Sequence, residues 1–413
     1  MASYSTSNTP SANLLKRTTE LSSITSIRSE TDDHWFSVLS LCHQRNPSHF
    51  GLEFPSTAYE NFEYLDSGTY SHVIKACDCE QDNMPIVFKI IKVVQRSTLN
   101  HLSDVSLKGF EMFTDVYQEI VIMKLLSNLH DTVADKSGFE YQTHSYPRII
   151  RTRVVNGEIP NYFLIRSYNE SARKIKPVER FDDTFGVPRE HLVVVMKFGG
   201  DSLWDRIQAS HPELLKPDQL LSVCYQVSLA LAIAEIVYQF EHRDLHVCNL
   251  LVKPTKKAYI LFKIRSVEYR VKSYGIKTCI IDATFSRMSL GGVSYFTDLT
   301  SRLKSTAENP KPEGHEVAYA QMYRLIGDRW SSWFPESNVI WLKCVFTELF
   351  ASDAFESHAD QHQRAIIRRL IAMVTDYKTV YEFVQAIFNE SGDIVSNDRI
   401  QPPQNGISLS KFN

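Results

Sequence analysis

The chain has 413 residues, with 45 Lys plus Arg against 48 Asp plus Glu and a formal net charge of −3. Apolar residues make up 43% and charged residues 23%, proportions that suit a folded chain with a full core and exclude collagen, a coiled coil and wholesale disorder. A charge balance this near zero argues against a surface that coats nucleic acid or an anionic membrane.

Seven cysteines, odd in number and without a CxxC pair, read as free thiols in a reducing compartment. Cys77 and Cys79 share a strand face and are read as a partly buried pair, not a metal site. Residues 1–33 are rich in Ser and Thr and lack the apolar stretch of a secretory signal, so a disordered leader is expected there. Order is expected to begin near Trp35 and Phe36. Strands follow at Phe62 to Leu65, Val73 to Ala76 and Ile86 to Ile91, rich in β-branched and aromatic residues and separated by turn formers. Val116, Ile120, Met123 and Leu126 recur at helical spacing. A strand pair is expected around Ile149 to Val155 and Tyr162 to Ile165, then a charged loop from Asn169 to Arg189. Val193 to Met196 is a short apolar run that Gly199 and Gly200 break.

Beyond Gly200 the pattern turns helical. Leu220 to Phe240 is long enough to span a membrane, yet Ser222, Gln226 and Ser228 recur through it, which favours a buried core helix. Leu250 to Val252 and Cys279 to Ile281 read as short strands, and residues 317–388 as mainly helical. No internal repeat is evident. The expected organisation is α+β: a β-rich lobe over 34–197, a mainly helical lobe over 198–388, and a polar tail over 389–413. The chain is expected to be a soluble, intracellular monomer without direct nucleic-acid or membrane contacts.

The strongest chemical signal is His242-Arg243-Asp244-Leu245-His246-Val247-Cys248-Asn249. It fills all four defined positions of the kinase catalytic loop H-R-D-x-x-x-x-N. An Asp there can take the proton of an attacking hydroxyl, and an Asn five residues later can turn back onto a metal. Asp282, directly after the apolar Ile280-Ile281, stands where kinases place a magnesium ligand, although Ala283 and Thr284 replace the usual Phe and Gly. Lys89 lies inside an apolar strand, where a charge is costly without a partner. Glu119 on the following helix is the partner expected of a kinase. The stretch from Leu65 to Val73 occupies the place of the glycine-rich loop, with only Gly68 and Val73 matching. His358 and His362 lack the Glu of a zinc-protease motif, and Arg368-Arg369 reads as a solvated helix edge.

With these motifs in order, the chain resembles a eukaryotic protein kinase, and within that superfamily the haspin family. Ser37 to Gln44 resembles the haspin lead-in. Phe240-Glu241-His242-Arg243-Asp244-Leu245-His246 is the family's form of the catalytic loop, and Asp282-Ala283-Thr284 is similar to its Asp-Tyr-Thr. Met322 to Leu325, Arg329-Trp330 and Ser337 to Leu342 resemble its C-terminal signature, and an Ala-Pro-Glu motif is absent from both. The resemblance implies a two-lobed kinase that uses ATP and Mg2+, with an activation segment held without phosphorylation. Its protein substrate would be a Ser or Thr residue, by family habit in the N-terminal tail of histone H-three, which implies a nuclear as well as a cytoplasmic location and a mitotic role. By motif, Asp244 is the base, Asn249 and Asp282 are metal ligands, and Lys89 and Glu119 are an ion pair. Gly68 and Val73 would cover the nucleotide, and Met196, Lys197, Phe198 and Gly199 would form the gatekeeper and adenine hinge.

Three departures bear on activity and specificity. Asp66 and Ser71 replace glycines of the phosphate loop. Gln321 stands where the family has an Asp that braces the catalytic-loop backbone. The family's acidic substrate-gripping positions fall near Ser202, Trp204, His315 and Val317, leaving Glu313, Glu316 and Asp205 as nearby acids. The alternatives to an active kinase are a pseudokinase scaffold and a small-molecule kinase of similar fold.

Overall fold

The computed structural model describes residues 34–67, 71–94, 111–164, 190–309, 314–389 and 400–401. The chain divides into two compact units, Met1–Gln118 with Ile149–Phe198, and Glu119–Arg148 with Gly199–Asn413. The division thus differs from the lobes expected at 34–197 and 198–388. Residues 119–148 cluster with the mainly helical unit, and Phe198 stays with the β-rich one. The leader over 1–33, Gly68, the loop from Asn169 to Arg189, and Glu313 lie outside the described residues.

Among the described residues the first unit begins with α1 (His34–Leu41), which buries Trp35, Val38, Leu39 and Leu41 and leaves Phe36 exposed. Its sheet contains β1 (Tyr59–Ser67), β2 (Ser71–Asp78), β3 (Met84–Val94), β4 (Ile149–Asn156) and β5 (Glu190–Lys197). Between β3 and β4 runs α2 (Phe113–Asn128), whose last ten residues belong to the second unit. These five run in the order β4-β5-β3-β2-β1 with antiparallel neighbours, and the two-residue strands Ser48–His49 and Glu111–Met112 add in parallel to β4 and β3. Alternation sends Ile74, Ala76, Phe88, Ile90, Val193 and Val195 to one face. There Phe88 meets Phe54, Tyr59 and Phe163 edge to face at 5.5, 5.1 and 4.9 Å, an arrangement that aromatic quadrupoles favour.

One expectation fails in this unit. Tyr162 is not in a strand; residues Asn161–Leu164 form a single helical turn after Pro160. Short aromatic runs carry no period that separates strand from helix. Here the packing of Phe163 into the aromatic core decides the matter.

The second unit is organised around α3 (Pro217–Tyr238), with Pro217 at its first turn and Gln239 in the left-handed conformation at its end. Among the described residues this is the helix long and apolar enough to cross a membrane, and 89% of its most apolar 18-residue window is buried inside the protein. Its polar residues explain that choice. Ser222 Oγ donates to Lys272 O at 2.7 Å, and Gln226 Oε1 accepts from Thr278 N at 2.9 Å, so they are satisfied by neighbouring strands.

Those strands are β6 (Leu250–Pro254), β7 (Tyr259–Ile264), β8 (Val267–Lys272) and β9 (Ile276–Ile280), followed by β10 (Arg287–Leu290) and β11 (Val293–Phe296). The hairpins β7–β8 and β10–β11 have no counterpart among the sequence-based expectations. The tail returns as Ile400–Gln401 to pair with β8. Helices α4 (Thr300–Glu308), α5 (His315–Ile326), α6 (Glu336–Phe350), α7 (Gln361–Val374) and α8 (Val380–Asn389) complete the unit. Asp360 caps α7, accepting from Gln363 N at 2.8 Å. His358 therefore precedes the helix that holds His362, and the two do not share a helix face.

Candidate active site

In the first unit the sheet register sets Val73, Lys89 and Val194 side by side on three neighbouring strands. They lie on the face opposite the aromatic core, so Lys89 is half-buried on an apolar surface instead of inside the core. Met196 sits one pair further along the same face and is buried. Lys197 is exposed. Phe198 donates its amide to Pro85 O at 3.0 Å, and its ring lies 4.7 Å beneath the Lys75 ammonium. Asp66 is exposed at the end of β1.

In the second unit, α2 buries the carboxylate of Glu119, which is 5% exposed. Gly199 and Gly200 lie against β6 and β9. A Cβ on Gly200 would stand 2.3 Å from Val252 O, and its φ is +133°, so this close backbone approach requires glycine.

The catalytic loop lies between α3 and β6 and is built from buried polar contacts. Glu241 and Arg243 are both fully buried and paired at 3.1 Å. Arg243 also donates to the carbonyls of Trp330 and Ser332 at 2.9 and 3.3 Å, while Glu241 accepts from Phe334 N and Ser337 Oγ at 2.9 and 2.8 Å. The loop Arg thus already has an anion inside the protein, and the Glu241–Arg243 pair together holds residues 330–337. Glu241 and Arg287 exchange backbone hydrogen bonds at 2.8 Å, which ties the segment after Asp282 to the same loop.

The brace expected at position 321 is elsewhere. Gln321 is exposed on α5. Asn338, fully buried on α6, accepts from His242 N at 2.9 Å and donates to Phe240 O and Glu235 Oε1 at 2.7 and 3.0 Å. The replacement at Gln321 therefore does not leave the loop unbraced, and one support of the pseudokinase alternative is removed. Glu348 adds a contact by accepting from Val247 N at 3.2 Å.

Asp244, Asn249 and Asp282 are brought together by strand pairing. Leu250 opposes Ile280 across β6 and β9, and Ile281 N donates to Asn249 O at 3.0 Å, so both proposed metal ligands emerge at one end of the pair. Asn249 Nδ2 donates to Asp244 O at 2.8 Å, which leaves the amide oxygen as the end suited to a cation. Asp282 has φ +67°, and its Oδ1 accepts from Thr284 N and Oγ1 at 3.0 and 2.6 Å. Thr284 thereby steadies the carboxylate in a sequence that lacks the usual Phe-Gly. Behind Asp282 a cavity of about 20 Å³ is lined by Leu126, Tyr146, Phe240, His242 and Ala283.

Burial pushes the Asp244 carboxyl up to about 7, against the hydrogen bond that Tyr319 donates to its Oδ1. His246 stands 3.5 Å from the same oxygen. Burial lowers its imidazole to about 4, so it is neutral and the contact is not an ion pair. His242 is lowered to about 4 by burial too, and its Nε2 bonds Ile281 O at 2.9 Å.

The donor set fits a magnesium ion. Among the described residues no group of three or more His, Cys, Asp or Glu is arranged to hold a metal. The two hard oxygen donors Asn249 and Asp282 are what such an ion takes from protein when phosphate and water complete its shell.

Sequence reasoning assigned no role to Glu241, Asn338 or Tyr319. Glu241 and Asn338 lie within segments that resemble the haspin family, and that was their only signal. Tyr319 had none.

A β-rich unit with a strand Lys, and a helical unit with a braced His-Arg-Asp loop and an Asp after a paired strand, define the protein-kinase fold. The family model for the haspin like kinase domain matches residues 1–395, and the chain belongs to that family. It is 26% identical over 370 residues to the serine/threonine-protein kinase haspin homolog of Drosophila melanogaster, covering 85% of this chain and 60% of that protein. It is 26% identical over 377 residues to the homolog of Arabidopsis thaliana, covering 91% and 58%. With the serine/threonine-protein kinase haspin of Bos taurus it shares 24% over 346 residues, covering 84% and 41%. The chain spans roughly two-fifths to three-fifths of the length of these relatives.

Proposed function

We propose that the chain is an ATP-dependent serine/threonine protein kinase of haspin type. The observation that carries this reading is the convergence of Asp244, Asn249 and Asp282 at the end of β6 and β9, on a loop braced by Asn338 and by the Glu241–Arg243 pair. Asp244 accepts the proton of the acceptor hydroxyl as its oxygen bonds to the γ-phosphorus of ATP and the bond from that phosphorus to the departing ADP breaks. By motif, Asn249 and Asp282 would hold Mg2+, and Lys89 and Glu119 would serve the nucleotide end. When bound, magnesium–ATP supplies the phosphoryl group and the charge that polarises it.

The acceptor is a Ser or Thr in a basic segment. A histone tail, the family's habit, is the first candidate, with chromatin as the setting and the nucleus and cytoplasm as locations. Asp205 is exposed and Glu316 is half-buried near the start of α5. Among the described residues near those positions these are few carboxylates to meet Arg and Lys, which supports a weaker preference for a histone tail than the family's.

The test is magnesium-dependent phosphate transfer to peptides with and without flanking Arg and Lys, at low and moderate salt. Asp244→Asn is expected to lower transfer by about 10²–10⁴, the worth of a positioned base, with ATP affinity unchanged. Asp282→Asn is expected to lose metal-dependent nucleotide binding. Equal loss of ATP binding in both variants contradicts the separate roles.

A further inference from the structure

The catalytic loop alone does not orient its own base. Asn249 Nδ2 bonds Asp244 O and His246 of the same loop stands 3.5 Å from Oδ1, but the hydrogen bond to the carboxylate comes from another element. Tyr319, on α5, donates its hydroxyl to Asp244 Oδ1. The phenol ring is itself clamped. It meets the fully buried Trp341 of α6 edge to face at 4.9 Å and His315 edge to face at 5.8 Å. The Trp341 indole N–H in turn points at Met322 Sδ, 3.4 Å away on α5. Ring, indole and helix thus form one packed assembly, and side chains in such an assembly have discrete positions.

We propose that Tyr319 is a positioning residue for phosphoryl transfer. It holds Asp244 Oδ1 and so turns Oδ2 toward the acceptor hydroxyl. The proposal rests on the kinase reading above and concerns a residue outside the motifs that carry it. The packing argues against Tyr319 as a stand-in for the acceptor, because a stand-in must withdraw when substrate arrives and this ring is wedged against Trp341. A carboxylate free to turn about its last torsion is in the productive orientation for only a fraction of encounters, and orientation is worth rate without binding.

The experiment is a kinetic double-mutant cycle on a basic Ser/Thr peptide. Tyr319→Phe keeps the ring and its packing and removes only the hydroxyl. It is expected to lower kcat about tenfold, as loss of orientation does, with the KM for peptide and for ATP each within about twofold. In the Asp244→Asn background the same substitution is expected to change nothing further. An unchanged kcat, a fall in peptide KM, or an undiminished effect in that background overturns the proposal. Proteins labelled with carbon-13 at the tyrosine Cζ provide a readout without turnover. The Tyr319 resonance, assigned by its loss in Tyr319→Phe, is expected to shift in Asp244→Asn. A wild type that transfers phosphate but whose Tyr319 resonance ignores that change sinks the positioning role alone. A wild type that transfers none sinks the kinase reading together with the proposal.

Discussion

Replacing Glu241 by Gln tests whether the Glu241–Arg243 pair carries the catalytic loop. The side chains have the same shape, so no cavity forms. What is lost is the charge that compensates Arg243, which has zero exposure, and one of two oxygens that together accept from Arg243 Nε and Nη2, Phe334 N and Ser337 Oγ. Removing one partner of a buried pair costs about 3–5 kcal/mol, mostly because the other charge stays buried and uncompensated. Arg243 keeps the carbonyls of Trp330 and Ser332 and a cation–π contact with the Trp330 ring at 5.4 Å, so the lower end, about 3 kcal/mol, is expected. For a unit of this size each kcal/mol moves Tm by about 2–4 °C, which makes the shift roughly 6–12 °C. The assay is thermal and urea unfolding at pH 7.5, with hydrogen exchange followed over residues 330–337, where protection is expected to fall most. The double variant Glu241→Gln/Arg243→Met is expected to be more stable than Glu241→Gln alone, since it leaves no lone charge. A single-variant shift below about 2 °C, or a double variant less stable than the single, would refute the reasoning.

Asn338→Ala removes the acceptor for His242 N and the donor to Phe240 O, and unsatisfied buried groups cost about 1–3 kcal/mol each. It is expected to lower both stability and turnover, whereas Gln321→Ala on the exposed face stays within about 0.5 kcal/mol. Equal costs in urea unfolding would return the brace to position 321. His242, lowered from 6.5 to about 4 by burial, is protonated in the unfolded chain but not in the folded one between those values. The contribution of His242 to stability therefore falls as pH drops through that window, by up to about 3 kcal/mol at ~1.4 kcal/mol per unit. His242→Gln should flatten the urea midpoint against pH between 6.5 and 5, with the remaining slope from His72, His130 and His246, which burial also lowers to about 4, opposed by Asp244 and Glu235, which burial raises to about 7 and about 8. Parallel curves for variant and wild type would contradict the assignment. Gly200→Ala forces a Cβ to 2.3 Å from Val252 O, whereas a Cβ on Gly138 meets nothing within 4 Å at φ +82°. The first is expected to cost well over 2 kcal/mol and the second about 1, the price of the left-handed backbone alone, and calorimetry that reverses the order would refute the close approach.

Much of the protein is legible in its sequence because its signals are local. Alternation over Ser71–Asp78 and β-branched residues over Met84–Val94 specify strands whichever partner they meet. Four positions within eight residues suffice to place Asp244 and Asn249, and an apolar strand ending in Asp places Asp282. The polar residues within α3 announce a core helix because each needs an acceptor or donor that a bilayer does not provide. Elsewhere the deciding partner lies far along the chain. Tyr162 and Phe163 have strand-forming composition, yet the aromatic core around Phe88 captures them as a helical turn. Asn338 reaches His242 across 96 residues and Tyr319 reaches Asp244 across 75. A sequence pattern records periodicity within one element. Which side chain satisfies a buried N–H or grips a buried carboxylate depends on how elements pack, so Asn338 in place of Gln321, and Tyr319 beside the base, were decided by the tertiary structure alone.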